Sequence, residues 1–321
     1  MAVYTQVGET ELSRFLEGYD IGAPVSFKGI AEGVENSNYL LVTERGRFIL
    51  TLYEKRVSEA DLPFFIGLMQ HLAGRGIPCP LPIARRGGEA VAALAGRPAA
   101  IISFLEGLAI TEPTPAHCRA VGAALGALHV AGSDFAMRRR NALGPSGWPA
   151  LAAAIGKRGE EIAPGLSALT ANEIAALRTV WPKDLPAGVI HADLFTDNVF
   201  FLDGKVSGLI DFYFACNDTY AYDIAIMLNA WCFAANATFS ASRARELLVG
   251  YQAVRGLSKA ELDALPALAR GAALRFLLTR ALDWLDTPKD ALVRPKDPAE
   301  YLRKLEFHRT VLGPEGYGLD G

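Results

Sequence analysis

The chain has 321 residues, a length that favours two lobes or domains over one small core. Apolar residues make up 51% of the sequence and charged residues 21%, the balance of an ordinary soluble globular protein. The net charge of −3 excludes a strongly basic surface that would attract nucleic acid or anionic lipid. We therefore expect neither nucleic acid nor a membrane as a partner.

The first third of the chain is predicted to form strands and turns around one helix. Strand-like runs occupy residues 25–30, 38–43, 47–53 and 99–105. A helix is predicted to start near Ser58, with Asp61 at capping-box spacing and apolar residues at helical intervals over 62–72. Gly74 and Gly76 end this helix.

From about Pro113 onward the pattern is helical. Helices are predicted over 118–130, 150–179 and 243–286, and Asp203-Gly204 between two apolar runs predicts a β-hairpin. Residues 224–242 carry no charge, but Asn229 and Asn236 interrupt them, which favours a buried helix over a membrane span.

These patterns predict an α+β fold with two lobes. A small strand-rich lobe covers residues 1–105, and a larger, mainly helical lobe covers residues 106–321. The four cysteines lie far apart without a Cys-x-x-Cys pair, which indicates thiols in a reducing cytosol rather than disulfides or a zinc site. Because residues 1–18 also contain no apolar signal segment, a cytoplasmic location is expected.

The segment from His191 to Asn198 and the later Asp211 carry the candidate chemistry. Phosphoryl transfer requires a carboxylate that orients the acceptor hydroxyl and takes its proton, and oxygen ligands for the metal ion on the phosphates. Asp193 is the candidate base, and Asn198 and Asp211 are the candidate metal ligands. The hairpin between Asn198 and Asp211 reverses the direction of the chain, so both ligands can meet at one metal ion. Each residue alone has an ordinary structural explanation, but the combination predicts a kinase site that uses ATP and Mg²⁺.

This loop resembles that of the aminoglycoside phosphotransferase/choline kinase superfamily, whose members are relatives of the protein kinases. Five segments spread over the chain are similar to bacterial homoserine kinases of the ThrB type, namely ENSNY, LTLYE, GIPCP, HADLF and DPAEY. The resemblance implies a bilobal protein-kinase-like fold. It also implies transfer of a phosphoryl group from ATP to L-homoserine, giving O-phospho-L-homoserine for threonine biosynthesis, with this small molecule as the partner.

The resemblance also implies a nucleotide site. A phosphate-covering loop is expected over residues 29–37, with contacts from Gly29, Gly33, Asn36 and Ser37. Glycines between strands let backbone N–H groups approach phosphate oxygens, although a plain hairpin connection has the same composition. An adenine-binding hinge is expected at Ser103, Phe104 and Leu105, where the alternative is a strand that ends at a domain boundary.

The third strand departs from the wider group, which often has a Lys or Arg there for the nucleotide phosphates. Thr51 occupies the corresponding position. Three cations are open as replacements, namely Lys28, Lys55 and Arg56. The helix acid that would pair with such a cation, Glu59 or Asp61, has an alternative role as a first-turn acid favoured by the helix dipole.

An amino-acid acceptor would require a cation for its carboxylate. Arg275 and Arg280 lie on one predicted helix, and a guanidinium suits a carboxylate, although a solvated helix face is the alternative. Asp197 is either a polar contact to the substrate or a loop cap. Asp223 either braces the catalytic loop or caps a helix, while Asn229 and Trp231 either line the pocket or belong to the core.

Other acceptors remain open: choline, an aminoglycoside, methylthioribose or a fructosamine. A choline pocket requires several aromatic faces, and an aminoglycoside pocket requires many acids. The second lobe shows neither pattern, which favours the amino acid. A non-catalytic nucleotide-binding scaffold is the alternative from another functional class, and the sequence does not indicate the oligomeric state.

Overall fold

The computed structural model describes residues 5–30, 36–54, 57–288 and 295–319. The chain divides into two compact units. Unit 1 comprises Met1–Gly107 and Ser207–Tyr213, and unit 2 comprises Leu108–Val206 and Phe214–Gly321. The short segment Ser207–Tyr213 thus groups with unit 1 although it lies about a hundred residues further along the chain.

Unit 1 is built around a five-stranded antiparallel sheet. Its elements are α1 (Glu9–Leu16), β1 (Pro24–Gly29), β2 (Ser37–Thr43), β3 (Gly46–Leu52), α2 (Leu62–Ala73), β4 (Val91–Leu94) and β5 (Arg97–Ser103), with strand order β1-β2-β3-β5-β4. Buried and half-buried residues alternate along β2, as the two-residue period of a strand requires. Leu41 and Leu50 are fully buried in a core to which α1 contributes Leu12, Phe15 and Leu16.

The start of α2 corrects one expectation. A 3-10 turn, Glu59–Asp61, precedes the α-helix, and the Ser58 side chain makes no capping hydrogen bond to the described residues. The predicted capping box is therefore wrong. Pro63 lies in the first helical turn of α2, where a missing backbone N–H costs nothing.

Unit 2 is mainly helical, as predicted. Its elements are β6 (Leu108–Ala109), α3 (Pro115–Ala131), α4 (Trp148–Ile155), α5 (Leu166–Val180), β7 (Ala187–Ile190), β8 (Val199–Leu202), the start of β9 (Lys205–Leu209), β10 (Cys216–Thr219), α6 (Tyr220–Trp231), α7 (Ala241–Gln252), α8 (Lys259–Asp286) and α9 (Ala299–Thr310). The predicted turn at Asp203-Gly204 is confirmed, because both residues have positive φ, as a type I′ turn requires.

Two predicted long helices are interrupted. The 150–179 prediction breaks at Gly156 and Gly165, whose φ values of 53° and 78° are incompatible with a right-handed helix. The 243–286 prediction breaks before Ser258, which opens α8 with a capping box: its hydroxyl accepts from the Glu261 N–H, and the Glu261 carboxylate accepts from the Ser258 N–H at 2.9 Å. Among the described residues, no helix is long and apolar enough to cross a membrane.

Helices α3 and α7 pack at backbone contact distance. A Cβ added to Gly122 would lie 2.1 Å from the Leu247 carbonyl oxygen, and one added to Gly250 would lie 2.0 Å from that of Arg119. Glycine at both positions lets the two helices approach so closely. This approach brings together His129 of α3 and Tyr251 of α7, which support the loop described next.

Candidate active site

The loop between β7 and β8 contains the predicted catalytic residues of unit 2. The preceding strand β7 pairs antiparallel with β10, which fixes the backbone up to Ile190. Ala192 has a φ of 63°, a left-handed conformation that a residue with a side chain rarely adopts. The surrounding contacts must therefore hold this turn in place.

Asp223 of α6 braces the loop, which confirms the first of the two roles predicted for this residue. Its carboxylate accepts hydrogen bonds from the backbone N–H groups of His191 at 2.7 Å and Ala192 at 2.9 Å. The alternative helix-capping role is wrong, because the N-cap residue of α6 is Thr219. Burial opposes ionisation of Asp223, but the hydrogen bonds that its carboxylate accepts from His129 and the His191 N–H outweigh this effect, so its pKa lies below the usual value.

A buried chain of polar groups continues behind Asp223. His129 Nε2 lies 3.1 Å from the Asp223 carboxylate, and Nδ1 lies 2.8 Å from the Tyr251 hydroxyl. Burial lowers the pKa of His129, so we assign a neutral ring whose Nε2–H donates to the carboxylate. Arg255 donates both to the Tyr251 oxygen and to Glu261. Residues from four helices, α3, α6, α7 and α8, thereby support one turn of the loop.

Asp193 and Asn198 lie together within the loop. The Asn198 amide Nδ2 donates to the Asp193 carbonyl at 2.7 Å and lies 3.4 Å from its carboxylate. Because Nδ2 is engaged in these contacts, Oδ1 is the side-chain atom of Asn198 that can bind a cation. The Asp193 N–H donates to Nδ1 of the buried His191 at 3.3 Å.

Arg275 of α8 contacts the same loop. Its side chain is only 2% exposed, Nη1 donates to the Ala192 carbonyl oxygen, and Nη2 lies 3.9 Å from the Asp193 carboxylate. The guanidinium lies over the rings of Phe276 and Phe214 at 4.4 Å and 5.6 Å. The arginine predicted from the sequence is thus brought to the catalytic loop.

Arg280, the second predicted arginine, belongs to a cluster between α8 and α9. It pairs with Glu300 at 2.6 Å, and Lys304 pairs with the other oxygen of the same carboxylate at 2.5 Å. Both cations lie over the ring of the fully buried Tyr301, at 4.4 Å and 4.5 Å. Two cations share one carboxylate, so the cluster has a surplus positive charge.

Asp197, Asn229 and Trp231 have other partners. Asp197 forms an ion pair with Lys296 at 3.0 Å, and both side chains are more than half exposed. Asn229 is buried between α6 and α8 and donates to the Ala269 carbonyl. Trp231 is a buried core residue whose indole N–H donates to the Leu194 carbonyl at 2.9 Å. The tryptophan therefore anchors the loop from behind.

Asp211, the second predicted metal ligand, belongs to unit 1. It follows β9 and has a φ of 64°, another left-handed position. Burial raises the pKa of the adjacent Tyr213 to about 12, and the charge of Asp211 contributes to this shift. The structure describes Asp193 and Asn198 in one unit and Asp211 in the other.

The predicted phosphate loop is described only at its ends. Gly29 ends β1, Gly33 lies outside the described residues, and Asn36 and Ser37 are buried. The Asn36 side-chain oxygen accepts from the Glu54 N–H at 3.3 Å, and the Ser37 hydroxyl donates to the Glu54 carboxylate at 2.8 Å. Arg97 pairs with the same carboxylate at 3.2 Å.

Thr51, at the position predicted to lack the cation, lies in the third strand. Thr51 is buried in β3, and its hydroxyl donates to the Asn38 side chain at 2.8 Å. Lys28 is exposed on β1, whereas Lys55 and Arg56 lie outside the described residues. Glu59 and Asp61 both belong to the 3-10 turn before α2.

At the predicted hinge, the strand β5 ends at Ser103. Its N–H donates to the Leu81 carbonyl, and its hydroxyl accepts from the Leu81 N–H at 2.9 Å. Phe104 and Leu105 follow the end of the strand, and Arg47 lies 4.7 Å from the centre of the Phe104 ring. Ser103 therefore ties the strand to the preceding segment.

Sequence reasoning missed two residues that support the site. Glu54 ends the LTLYE segment, so its position beside the phosphate loop could have been read from the strand pairing. The role of His129 could not be predicted from a local sequence pattern, because this residue lies 94 residues from its partner Asp223 along the chain.

Comparisons with known proteins show the family and the fold of the chain. Residues 26–257 match the model of the phosphotransferase enzyme family. Amicoumacin kinase hAmiN, solved with AMP-PNP and Ca²⁺, has a TM-score of 0.72 at 19% identity and covers 95% of each chain. Choline kinase from Cryptosporidium parvum has a TM-score of 0.65 at 16% identity over 88% of each chain. The predicted α+β, protein-kinase-like fold is confirmed, and the class of protein is a small-molecule kinase.

The sequence relatives narrow this class. The homoserine kinase of Azorhizobium caulinodans is 61% identical over 319 residues, which are 99% of each chain. That of Agrobacterium fabrum is 59% identical over 321 residues and all of both chains. The chain belongs to the homoserine kinase family.

Proposed function

We propose that the protein transfers the γ-phosphoryl group of ATP to the side-chain hydroxyl of L-homoserine and so supplies O-phospho-L-homoserine to threonine biosynthesis. The observation that carries this proposal is the braced loop of Asp193 and Asn198 in a chain about 60% identical to homoserine kinases throughout its length. A cytoplasmic location remains a prediction of the sequence.

Asp193 acts as the base. Its carboxylate is 16% exposed, so it is accessible to an acceptor, while the loop backbone on which it stands is held by buried partners. Such a carboxylate orients the acceptor hydroxyl towards the phosphorus and receives its proton as the new P–O bond forms. The ADP oxygen leaves as the bond to the γ-phosphorus breaks.

In this proposal, Asn198 and Asp211 would hold a magnesium ion. An amide oxygen and a carboxylate are hard oxygen ligands, the type that Mg²⁺ prefers, and two protein ligands suffice because phosphates and water complete its shell. The bond from Asn198 Nδ2 to Asp193 supports this role, because it fixes the orientation of the amide oxygen. When bound, the metal ion neutralises charge on the transferred phosphate.

The nucleotide lies against unit 1 in this proposal. Gly29, Gly33 and the N–H groups near Asn36 and Ser37 cover the phosphates, with Glu54 and Arg97 holding the last two residues in place. Since Ser103 is already paired with Leu81, the backbone of Phe104 and Leu105 is the part of the hinge that remains for the adenine.

Arg280 binds the carboxylate of the amino acid. Its cluster with Glu300 and Lys304 keeps a surplus positive charge, which suits a carboxylate. Burial raises the pKa of the neighbouring Tyr301; the charge of Arg280 opposes this shift, and that of Asp193 adds to it. Asp197, which is more than half exposed beside Lys296, is a further candidate for a substrate contact.

A coupled ADP-release assay tests this function. The purified protein is supplied with Mg·ATP and, in parallel, L-homoserine, choline, kanamycin or L-threonine. We expect turnover selective for L-homoserine, and we expect R280M to raise its KM while the KM for ATP stays unchanged. Selective turnover of another acceptor would overturn the substrate assignment, and nucleotide binding without any turnover would favour the scaffold.

A further inference from the structure

Arg275 holds a position that an acceptor-binding residue would not need. Its side chain is 2% exposed, and one guanidinium nitrogen is committed to the Ala192 carbonyl oxygen inside the loop. The rings of Phe276 and Phe214 lie on the guanidinium. The guanidinium is thus buried against the loop rather than presented to solvent, where a substrate carboxylate would approach.

The carbonyl oxygen to which Arg275 donates belongs to the strained residue of the loop. Ala192 has a φ of 63°, a conformation that persists only where its surroundings hold it. Asp223 binds the N–H side of this turn, and Arg275 binds the carbonyl side. The peptide that Arg275 holds is the one that leads into Asp193.

The second guanidinium nitrogen lies near the base itself. Arg275 Nη2 is 3.9 Å from the Asp193 carboxylate, too far for a direct hydrogen bond but close enough for a favourable charge interaction. The arginine thus acts on both the backbone and the side chain of the same residue. A lysine would keep the charge but could not form the same forked set of contacts.

From these contacts we infer that Arg275 is a positioning residue for Asp193 rather than a ligand of the substrate. It fixes the left-handed turn at Ala192 from the α8 side, so that the Asp193 carboxylate faces the acceptor in the orientation that transfer requires. This inference rests on the proposed role of Asp193 as the base.

The inference predicts a change in kcat without a change in binding. R275M, which keeps most of the side-chain volume, should lower kcat by about 10²-fold, because small displacements of a catalytic group have effects of this size. The KM values for L-homoserine and for ATP should change by less than about threefold. R275K should recover part of the lost kcat, since it restores one donor and the charge.

A matched variant on the same helix separates positioning from general destabilisation. Arg270 also forms a largely buried ion pair on α8, with Glu173 at 2.6 Å, away from the loop. R270M should lower the melting temperature but leave kcat unchanged. All variants are assayed below their melting temperatures, with folding followed by circular dichroism.

Each outcome decides between the roles. A fall in kcat at constant KM, with partial recovery in R275K, supports positioning. A large rise in the KM for L-homoserine at constant kcat would instead make Arg275 a substrate ligand, and unchanged kinetics would remove it from the site. The wild-type protein and D193A are measured alongside. Full turnover in D193A would show that Asp193 is not the base. Because D193A leaves Arg275 unchanged, this result is distinguishable from a failure of the inference about Arg275.

Discussion

The loop of Asp193 and Asn198 in unit 2 and the end of the predicted phosphate loop in unit 1 have different kinds of support. The loop turn is held by Asp223 and Arg275, two buried charged residues from separate helices. In unit 1, Asn36 and Ser37 are held by Glu54 from the neighbouring strand end, and its partner Arg97 is 35% exposed. The loop in unit 2 is therefore fixed by long-range charged hydrogen bonds, whereas Asn36 and Ser37 depend on contacts between neighbouring strands.

The largest expected effect concerns the base itself. D193A should lower kcat by about 10²–10⁴-fold, because the acceptor hydroxyl loses the group that orients it and accepts its proton. Steady-state kinetics with L-homoserine and Mg·ATP measure this loss. Near-wild-type turnover in a correctly folded D193A protein would show that Asp193 is not the catalytic base.

The next effect tests whether the loop depends on its buried carboxylate. D223A would leave the His191 and Ala192 N–H groups and His129 without their acceptor, so we expect a loss of about 3 kcal/mol in the free energy of unfolding. Urea denaturation measures this change. D263A provides the control, because Asp263 forms an exposed pair with Lys259 on α8, and it should cost less than about 1 kcal/mol. Equal losses would contradict the account of the loop.

A third effect concerns pH. His308 is buried between Asn229 and Tyr317, and burial lowers its pKa to about 3. Because the unfolded state binds a proton near pH 6.5, the stabilisation by neutral His308 is complete above that pH and is lost as the pH falls towards 3. From pH 7 to pH 5, this residue alone should reduce the free energy of unfolding by about 2 kcal/mol.

Urea denaturation at both pH values checks this effect. H308Q retains a donor and an acceptor but cannot titrate, so it should show a smaller loss of stability on acidification. Y317F keeps the histidine and should keep the dependence of the wild type. If H308Q and the wild type lose the same stability, His308 does not titrate on unfolding.

The smallest expected effect lies on the nucleotide side. E54A removes the acceptor of the Ser37 hydroxyl and the partner of Arg97, and should raise the KM for ATP threefold to tenfold, a cost of roughly 1 kcal/mol. The KM for L-homoserine should not change. D20A, which breaks an exposed ion pair with Arg45 in the same unit, is the control and should leave both KM values unchanged. An unchanged KM for ATP in E54A would separate Glu54 from the nucleotide site.

The parts of the molecule that could be predicted from the sequence are those that neighbouring residues determine. Strand alternation gave β2 and β3, Asp203-Gly204 gave the turn before β9, and the spacing from Asp193 to Asn198 gave a loop in which the two residues are hydrogen-bonded. Helix α1 was not predicted, because its eight residues are too few for a clear periodic pattern.

The residues that support the loop could not be predicted from local sequence patterns, because they lie far from the loop along the chain. Arg275 lies 83 residues from Ala192, and its role depends on how α8 packs against the loop. His129 and Tyr251 meet 122 residues apart because glycines let α3 and α7 approach. Charge alone suggested a substrate contact for Arg275, whereas its burial and its carbonyl partner favour a structural one.

The most direct test of the account is to identify the product by ³¹P NMR. The protein is incubated with L-homoserine and Mg·ATP, beside D193A under the same conditions. We predict that the γ-phosphate signal of ATP decreases while a phosphomonoester signal that coincides with authentic O-phospho-L-homoserine increases, and that D193A gives almost none. Inorganic phosphate as the sole new product, or equal phosphomonoester from D193A, would contradict the assignment of Asp193 as the base of a homoserine kinase.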